Sequence, residues 1–300
     1  MWFLFALASY TIFASITITD KYLLSRSIPD ARVYAFYTGI LGVFAFVLAP
    51  FGFEIPSVKI MGLGILAGAL LITTMFLFFS ALAKGEALRV LVAWGGLVPI
   101  FTLSFVFLTT REFPSSAALF AFFLLLLGSV IIMFEGVQAV FRNWKTFSLV
   151  LLSSFLFGLY YTVVKFLFAE EPFINAFLWI KVGGVVWSLL FLFSPRVRCI
   201  LFEHKRTLPQ KAGSIFLIKN GAGGIAALLQ HLAISTARFG EVAIINALQG
   251  VQFALVFLAV LFLAKRFPEI VKEKVDREVM IVKMTGTGLV IAGVALLAIN

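Results

Sequence analysis

Two lysines, a histidine and a row of amides stand inside apolar stretches of this chain, where polar side chains are costly. Lys181 lies near the middle of "FINAFLWIKVGGVVWS", two residues after Trp179. Lys219 lies in "IFLIKNGAGG", and His231 follows on the same run with Gln230 beside it and Asn220 on a similar face. Asn246, Gln249 and Gln252 recur at intervals of three and share one helical face. A lysine at the centre of a bilayer costs about 2.5–3.5 kcal/mol on insertion scales. Lys181 stands on the order of 12 Å from an interface, beyond the reach of its stem. Its charge therefore points to a wet interior, whereas Lys219, about six residues from a span end, is also within snorkelling range. His231 reads equally as a proton relay or as a hydrogen-bonding neighbour. Groups of this kind suit a small polar solute, and the amides read equally as interhelical hydrogen-bond partners. An enzyme would need a nucleophile–base pair, a metal cluster or paired carboxylates. Two histidines, one cysteine (Cys199) and no mid-span acid do not supply these, so no catalytic residue, metal or cofactor is expected.

A second pointer is a paired interruption. "AWGGLVPIF" holds Trp94, Gly95, Gly96 and Pro99, and Pro99 lacks an N–H, so the Gly95 carbonyl loses its helical partner. Gly250, 155 residues after Gly95, sits in "NALQGVQF", where Gln249 corresponds to Trp94. Interruptions at matching positions mark binding sites in many carriers, although small residues also serve close helix packing. The candidate substrate-binding set is Trp94, Gly95, Trp179, Lys181, Lys219, Asn220, His231, Asn246, Gln249 and Gln252.

The elements that must hold these residues are membrane helices. Of 300 residues, 62% are hydrophobic and 13% charged, against about 45–50% and 25% in an ordinary globular domain. Stretches of about 20 apolar residues are long enough to cross a bilayer. Ten are found, near Trp2–Thr19, Ala31–Ala49, Ile60–Ala83, Ala87–Thr109, Ser115–Phe134, Thr146–Val164, Phe173–Ser194, Gly213–Ala237, Val242–Ala264 and Met280–Ile299. Lipid offers the backbone no hydrogen bonds, so each is expected as a helix. The first has no basic n-region and no cleavage site, and reads as a span rather than a removable leader. The connector after the ninth, with mixed charges, is expected to form a short surface helix.

The chain repeats itself. "SALAKGEALRV" (Ser80–Val90) returns as "STARFGEVAII" (Ser235–Ile245), "REFP" (Arg111–Pro114) as "KRFP" (Lys265–Pro268), and Lys21-Tyr22-Leu23 as Lys165-Phe166-Leu167. Locally, a cation, a glycine and then an acid suit a helix end followed by a helix start. Matches kept in order indicate a duplicated five-helix unit, residues 1–135 and 146–300, joined by a linker at 136–145. Because five is odd, the second copy enters the membrane inverted, which gives an all-α membrane protein of ten transmembrane helices in two inverted repeats. Connectors after odd-numbered helices hold eighteen Lys and Arg, and those after even-numbered helices four. The odd connectors are therefore expected in the cytoplasm and both termini outside.

With these features the chain resembles the ten-helix, EamA-type members of the drug/metabolite transporter superfamily. The resemblance rests on the two five-helix copies, the Gly-Glu connectors and the charged turns Arg111-Glu112 and Lys265-Arg266. It implies a secondary carrier of small metabolites in the cell (inner) membrane, multi-pass, with a central cavity between the repeats. It also implies cytoplasmic termini, opposite to the charge count. Small four-helix relatives carry a cation-binding glutamate in their first helix. This first helix has Ser9 and Tyr10 but no acid before Asp20. With bases and no acids in mid-span, the solute is expected to be anionic or zwitterionic.

Other classes are excluded or subordinate. The net charge is +10, and all Lys and Arg but Lys181 and Lys219 cluster between the apolar runs or at their ends, which fits membrane topology rather than a nucleic-acid partner. "GLGILA" (Gly62–Ala67) matches a dinucleotide fingerprint but has no strand before it, and Gly64 and Gly68 fit helix packing. No P-loop pattern provides for ATP drive. A lipid flippase or membrane assembly subunit on the same scaffold is the alternative, and a homodimer stays open.

Overall fold

The computed structural model describes residues 1–24, 31–83, 87–132, 144–203, 210–266 and 277–299. Among the described residues the longer helices are α1 (Trp2–Leu24), α2 (Ala31–Ile40, continued by a 3-10 segment Leu41–Phe51), α3 (Val58–Leu82), α4 (Ala87–Thr110), α5 (Ser116–Ile132), α6 (Trp144–Glu170), α7 (Phe173–Leu189), α8 (Gln210–Thr236), α9 (Val242–Ala247 and Gln249–Arg266) and α10 (Arg277–Ile299). Among the described residues there is no strand. Among the described residues seven stretches are long and apolar enough to cross a membrane, Val58–Leu82, Trp144–Glu170 and Phe173–Phe193 among them. Trp2–Ile16 and Ser116–Ile132 are shorter apolar helices. The chain is an all-helical integral membrane protein.

Local chemistry follows from an apolar solvent. Hydroxyls inside the helices donate back to carbonyls one turn earlier, as Thr102 does to Val98 (2.9 Å) and Ser154 to Val150 (2.8 Å), since lipid gives them no other acceptor. Phe44, Val47, Phe193 and Phe262 present bare rings or methyls outward, as side chains facing acyl chains do. Arg111 takes φ 59° just past α4, a left-handed cap that glycine usually fills; its guanidinium lies over the Phe107 ring, 5.5 Å from the centroid.

The dominant packing joins α5 with α10, α3 with α7 and α6, α1 with α8, and α4 with α6. Glycines let three of these pairs approach to backbone contact, Gly158 bringing α6 against Phe101 and Thr102 of α4. A methyl at Gly64 would stand 2.7 Å from Trp179 Cβ, one at Gly183 2.6 Å from Ile65 Cα, and one at Gly68 would overlap Gly183 and Gly184. The "GLGILA" glycines are thus a helix seam. Between α5 and α10 the contacts are reciprocal: Gly128 meets Gly286 and Val290, and Gly286 meets Gly128 and Ile132. Leu125 meets Gly293 while Ile132 meets Gly286, so α5 and α10 run antiparallel.

Connectors meet in agreement with alternating crossings. Lys59, at the start of α3, pairs with Glu170 at the end of α6 (2.7 Å), and Gly240, between α8 and α9, lies against Phe113 and Pro114, between α4 and α5. At the other end, Arg32 donates to Ser194 (3.2 Å). Residues 84–86, most of the linker and the connector at 267–276 lie outside the described residues, so the first Gly-Glu copy and the expected surface helix are not placed.

The interruption expected in both α4 and α9 is found in one. α9 breaks at Leu248, between Ala247 and Gln249, whereas α4 runs unbroken through Pro99. A proline displaces one hydrogen bond, and neighbouring helices hold the rest of the ladder in register.

Candidate functional site

Lys181 sits on α7 with its Nζ 4.8 Å from the Phe177 ring centroid. Its stem passes Gly42, in the 3-10 continuation of α2: a methyl there would stand 3.6 Å from Lys181 Cδ. Protein surrounds Lys181 at longer range, yet part of its surface stays open. No carboxylate or carbonyl accepts from it among the described residues, and the nearby ring is a weak substitute for an anion.

Phe177 also touches His231 of α8, with centroids 5.2 Å apart. His231 is 3% exposed and has both nitrogens engaged. Nδ1 lies 2.6 Å from the Ala227 carbonyl, which can only accept, so Nδ1 carries the proton. Nε2 is then the acceptor for the Tyr160 hydroxyl at 2.7 Å. Phe168 closes a further side at 6.0 Å. Next to it on α8, Gln230 donates to the Tyr10 hydroxyl of α1 (3.0 Å) and lies against Tyr161.

From Tyr160 a ladder of rings climbs to α4. Tyr160 is parallel to Phe157 (5.4 Å), Phe157 stacks on Trp94 (4.8 Å), and Trp94 meets Phe78 of α3 (4.7 Å). The Trp94 indole N–H is buried and has no hydrogen-bond partner. Such a donor costs roughly 1–3 kcal/mol of desolvation when left unmet.

Two of the α9 amides, Asn246 and Gln249, face α4. Asn246, 2% exposed, donates to Thr102 Oγ1 at 2.9 Å. Gln249 lies with Oε1 beside Gly95, where a methyl would come within 3.2 Å, and has no hydrogen-bond partner among the described residues. Gln252 is buried and engaged. A Thr102→Val/Asn246→Leu double-mutant cycle is expected to return a coupling of about 0.6 kcal/mol, at most about 1.7, read from thermal unfolding in detergent. A null coupling would show the bond to be incidental.

Trp179 points elsewhere. Its indole donates to the Glu54 carbonyl at 3.0 Å and its ring stacks on Phe53 (5.8 Å). Asn175 completes this clamp, accepting from Glu54 N and donating to Glu171, each at 3.1 Å. Asn220 is half-buried with partners of its own, and the Lys219 side chain lies outside what the structure describes. Of the candidate set, Trp94, Lys181 and Gln249 therefore keep free polar groups. The residues that sequence reasoning missed are Tyr10, Phe157, Tyr160, Tyr161 and Phe177. The adjacent tyrosines of "GLYYTVV", in mid-span, were the available signal.

Lys165 is the other buried base, and its role is architectural. It donates to the carbonyls of Ile234 (3.2 Å), Ser235 (3.3 Å) and Ala237 at the C-terminal end of α8. There it meets the negative end of a helix dipole. Phe239 lies beneath it at 5.4 Å, and Glu241 and Glu112 attract it. Among the described residues no three His, Cys, Asp or Glu come together as a metal site would require.

No protein-family model matches this chain, and no curated protein matches it. Solved structures do. A crystal structure bearing no functional name superposes on 99% of this chain and 96% of its own with a TM-score of 0.70 and 15% identity. At that identity the likeness shows the fold alone.

Proposed function

We propose that this chain is a secondary carrier of a small anionic or zwitterionic metabolite, of the EamA type within the drug/metabolite transporters, working by alternating access. Ten spans form two inverted five-helix repeats in the cell (inner) membrane, with the basic connectors in the cytoplasm. The observation that carries the reading is Lys181: a cation among helices, partly open, with no anion to balance it among the described residues. A bound anion supplies that balance and lowers the cost of burying the charge. The reciprocal contacts of Gly128 and Gly286 support the repeat, because residues 128 and 132 meet 286 and 290 as partners across a two-fold axis do.

The test is a thermal-shift screen of purified protein against amino acids, organic anions, nucleotides and amphiphiles, followed by uptake of each stabilising compound into proteoliposomes. Saturable uptake of a water-soluble anion or zwitterion is the expected result. Stabilisation by long-chain amphiphiles alone, with headgroup movement between leaflets, would replace the carrier by a flippase. Reporter fusions at the C-terminus check orientation separately: a reporter active only in the cytoplasm would reverse the assignment drawn from charge.

A further inference from the structure

We infer that α2 is the moving element of this chain, and that a second glycine seam, Gly39 against Gly223, forms when the protein opens to its other side. This deepens the carrier reading and rests on it. In an inverted repeat each contact made by one copy has a counterpart in the other, and a missing counterpart marks the side left open. α3 on α6 is answered by α8 on α1, α4 on α6 by α9 on α1, and α5 on α10 answers itself. The seam of α3 on α7 has no answer. Among the described residues α8 does not pack on α2 to any like extent.

The residues for that seam are nevertheless in place. Gly68 and Gly183 meet at backbone contact in the seam that exists. Gly223 stands 155 residues after Gly68, the offset between the two Gly-Glu connectors, and Gly39 stands 144 before Gly183, the offset between Lys21 and Lys165. The α8 surface around Gly223 is bare. A methyl at Gly221 or Gly224 has nothing within 4 Å, one at Gly223 touches Ile16 of α1 at 3.8 Å, and Ile218 and Ile225 are exposed. Gly39 meanwhile rests on Gly184 and Ser188 of α7.

α2 is also built to change partners. Just past Gly39 its helix passes into an 11-residue 3-10 run, Leu41–Phe51. Such runs rarely exceed three or four residues, because their hydrogen bonds are poorly aligned, and in mid-helix they mark hinges. Gly42, at the start of the run, flanks the Lys181 stem, so a swing of α2 moves one wall of that lysine. The seam already formed lies at the end where Lys59 pairs with Glu170, Asn175 holds Glu54 and Gly240 meets Pro114, each tying one copy to the other. The unformed seam lies toward the basic connectors, so this is the state shut on the opposite face.

Spin labels on Thr38→Cys and Gly221→Cys, in a Cys199→Ser chain held in lipid nanodiscs, read the separation of α2 and α8. Both positions are exposed, and Leu66, the counterpart of Gly221 on α3, stays exposed beside the closed seam. Two distances are expected, the shorter being the second seam. Gly223→Leu should abolish the shorter distance and leave the thermal midpoint unchanged. It should also lower uptake of the solute found by the screen at least about tenfold, the population change that about 1.4 kcal/mol of overpacking gives. Gly221→Leu, in the unlabelled chain, should leave uptake as it was. A single distance, or both distances kept in Gly223→Leu, would overturn the inference. So would failure of Gly223→Leu to fold, since the α8 surface would then be filled already. Two distances without saturable uptake of any solute would sink the carrier reading and leave the moving helix standing. A single distance beside uptake undiminished by Gly223→Leu would do the reverse.

Discussion

Lys181→Met is expected to lower anion uptake by about 10- to 150-fold while leaving the empty protein as stable as before, or more so. A hydrogen bond to a charged group is worth about 1.5–3 kcal/mol, and about 1.4 kcal/mol is a factor of ten in affinity. In the empty protein the ammonium has no hydrogen-bond or ion-pair partner among the described residues, so removing it breaks only a contact with one ring. Methionine keeps the length of the stem and its apolar packing. The opposed signs make the measurement diagnostic, because a purely structural lysine would lose stability and transport together. Uptake assays paired with thermal unfolding read both; unchanged uptake would remove Lys181 from the site.

Gly68→Leu should be the most damaging single substitution of the seam, costing about 3 kcal/mol or more. Overpacking a core usually costs about 1–3 kcal/mol when side chains can move aside. Here the atoms in the way are the backbone of Gly183 and Gly184 and the carbonyl of Ile180, which cannot rotate away, so α3 and α7 must separate along their length. Gly62→Leu is the control. It lies six residues earlier on α3 with nothing within 4 Å of its missing Cβ. Leucine there gains helix propensity, up to about 1 kcal/mol. The yield of monodisperse protein and its thermal midpoint in detergent compare the two. Equal behaviour would mean that the α3–α7 approach is not fixed by glycine.

Helix positions were legible in the sequence because a run of some twenty apolar residues has one satisfactory conformation in lipid. The partner of each polar group was not. Trp179 and Lys181 are two residues apart on one helix, yet one bonds a connector carbonyl and the other lies over the Phe177 ring. Asn246 finds its acceptor in Thr102, in a helix far back in the chain. With 36 phenylalanines, an aromatic at any given place carries little information, so the ring ladder from Trp94 to Phe177 was hidden among equals. The repeats held more meaning than their local reading gave. Gly-Glu and Phe-Pro recur together, and the second Gly-Glu rests directly on the first Phe-Pro: a methyl at Gly240 would lie 2.9 Å from Pro114 N. Lys165, noticed only as an echo of Lys21, ties the C-terminal carbonyls of α8 beside that same contact.

The seams also set a timetable for biosynthesis. α1 packs on α8, α3 on α7, α4 on α6 and α5 on α10, so each early helix awaits a late one. The glycine face of α3 leaves the ribosome 115 residues before its mate, counted from Gly68 to Gly183. At about 5–20 residues per second that is a wait of roughly 6–23 s in the bilayer with a grooved, unfilled flank. During that interval acyl chains, or an insertase that shields small-residue grooves, must occupy the place that α7 later takes.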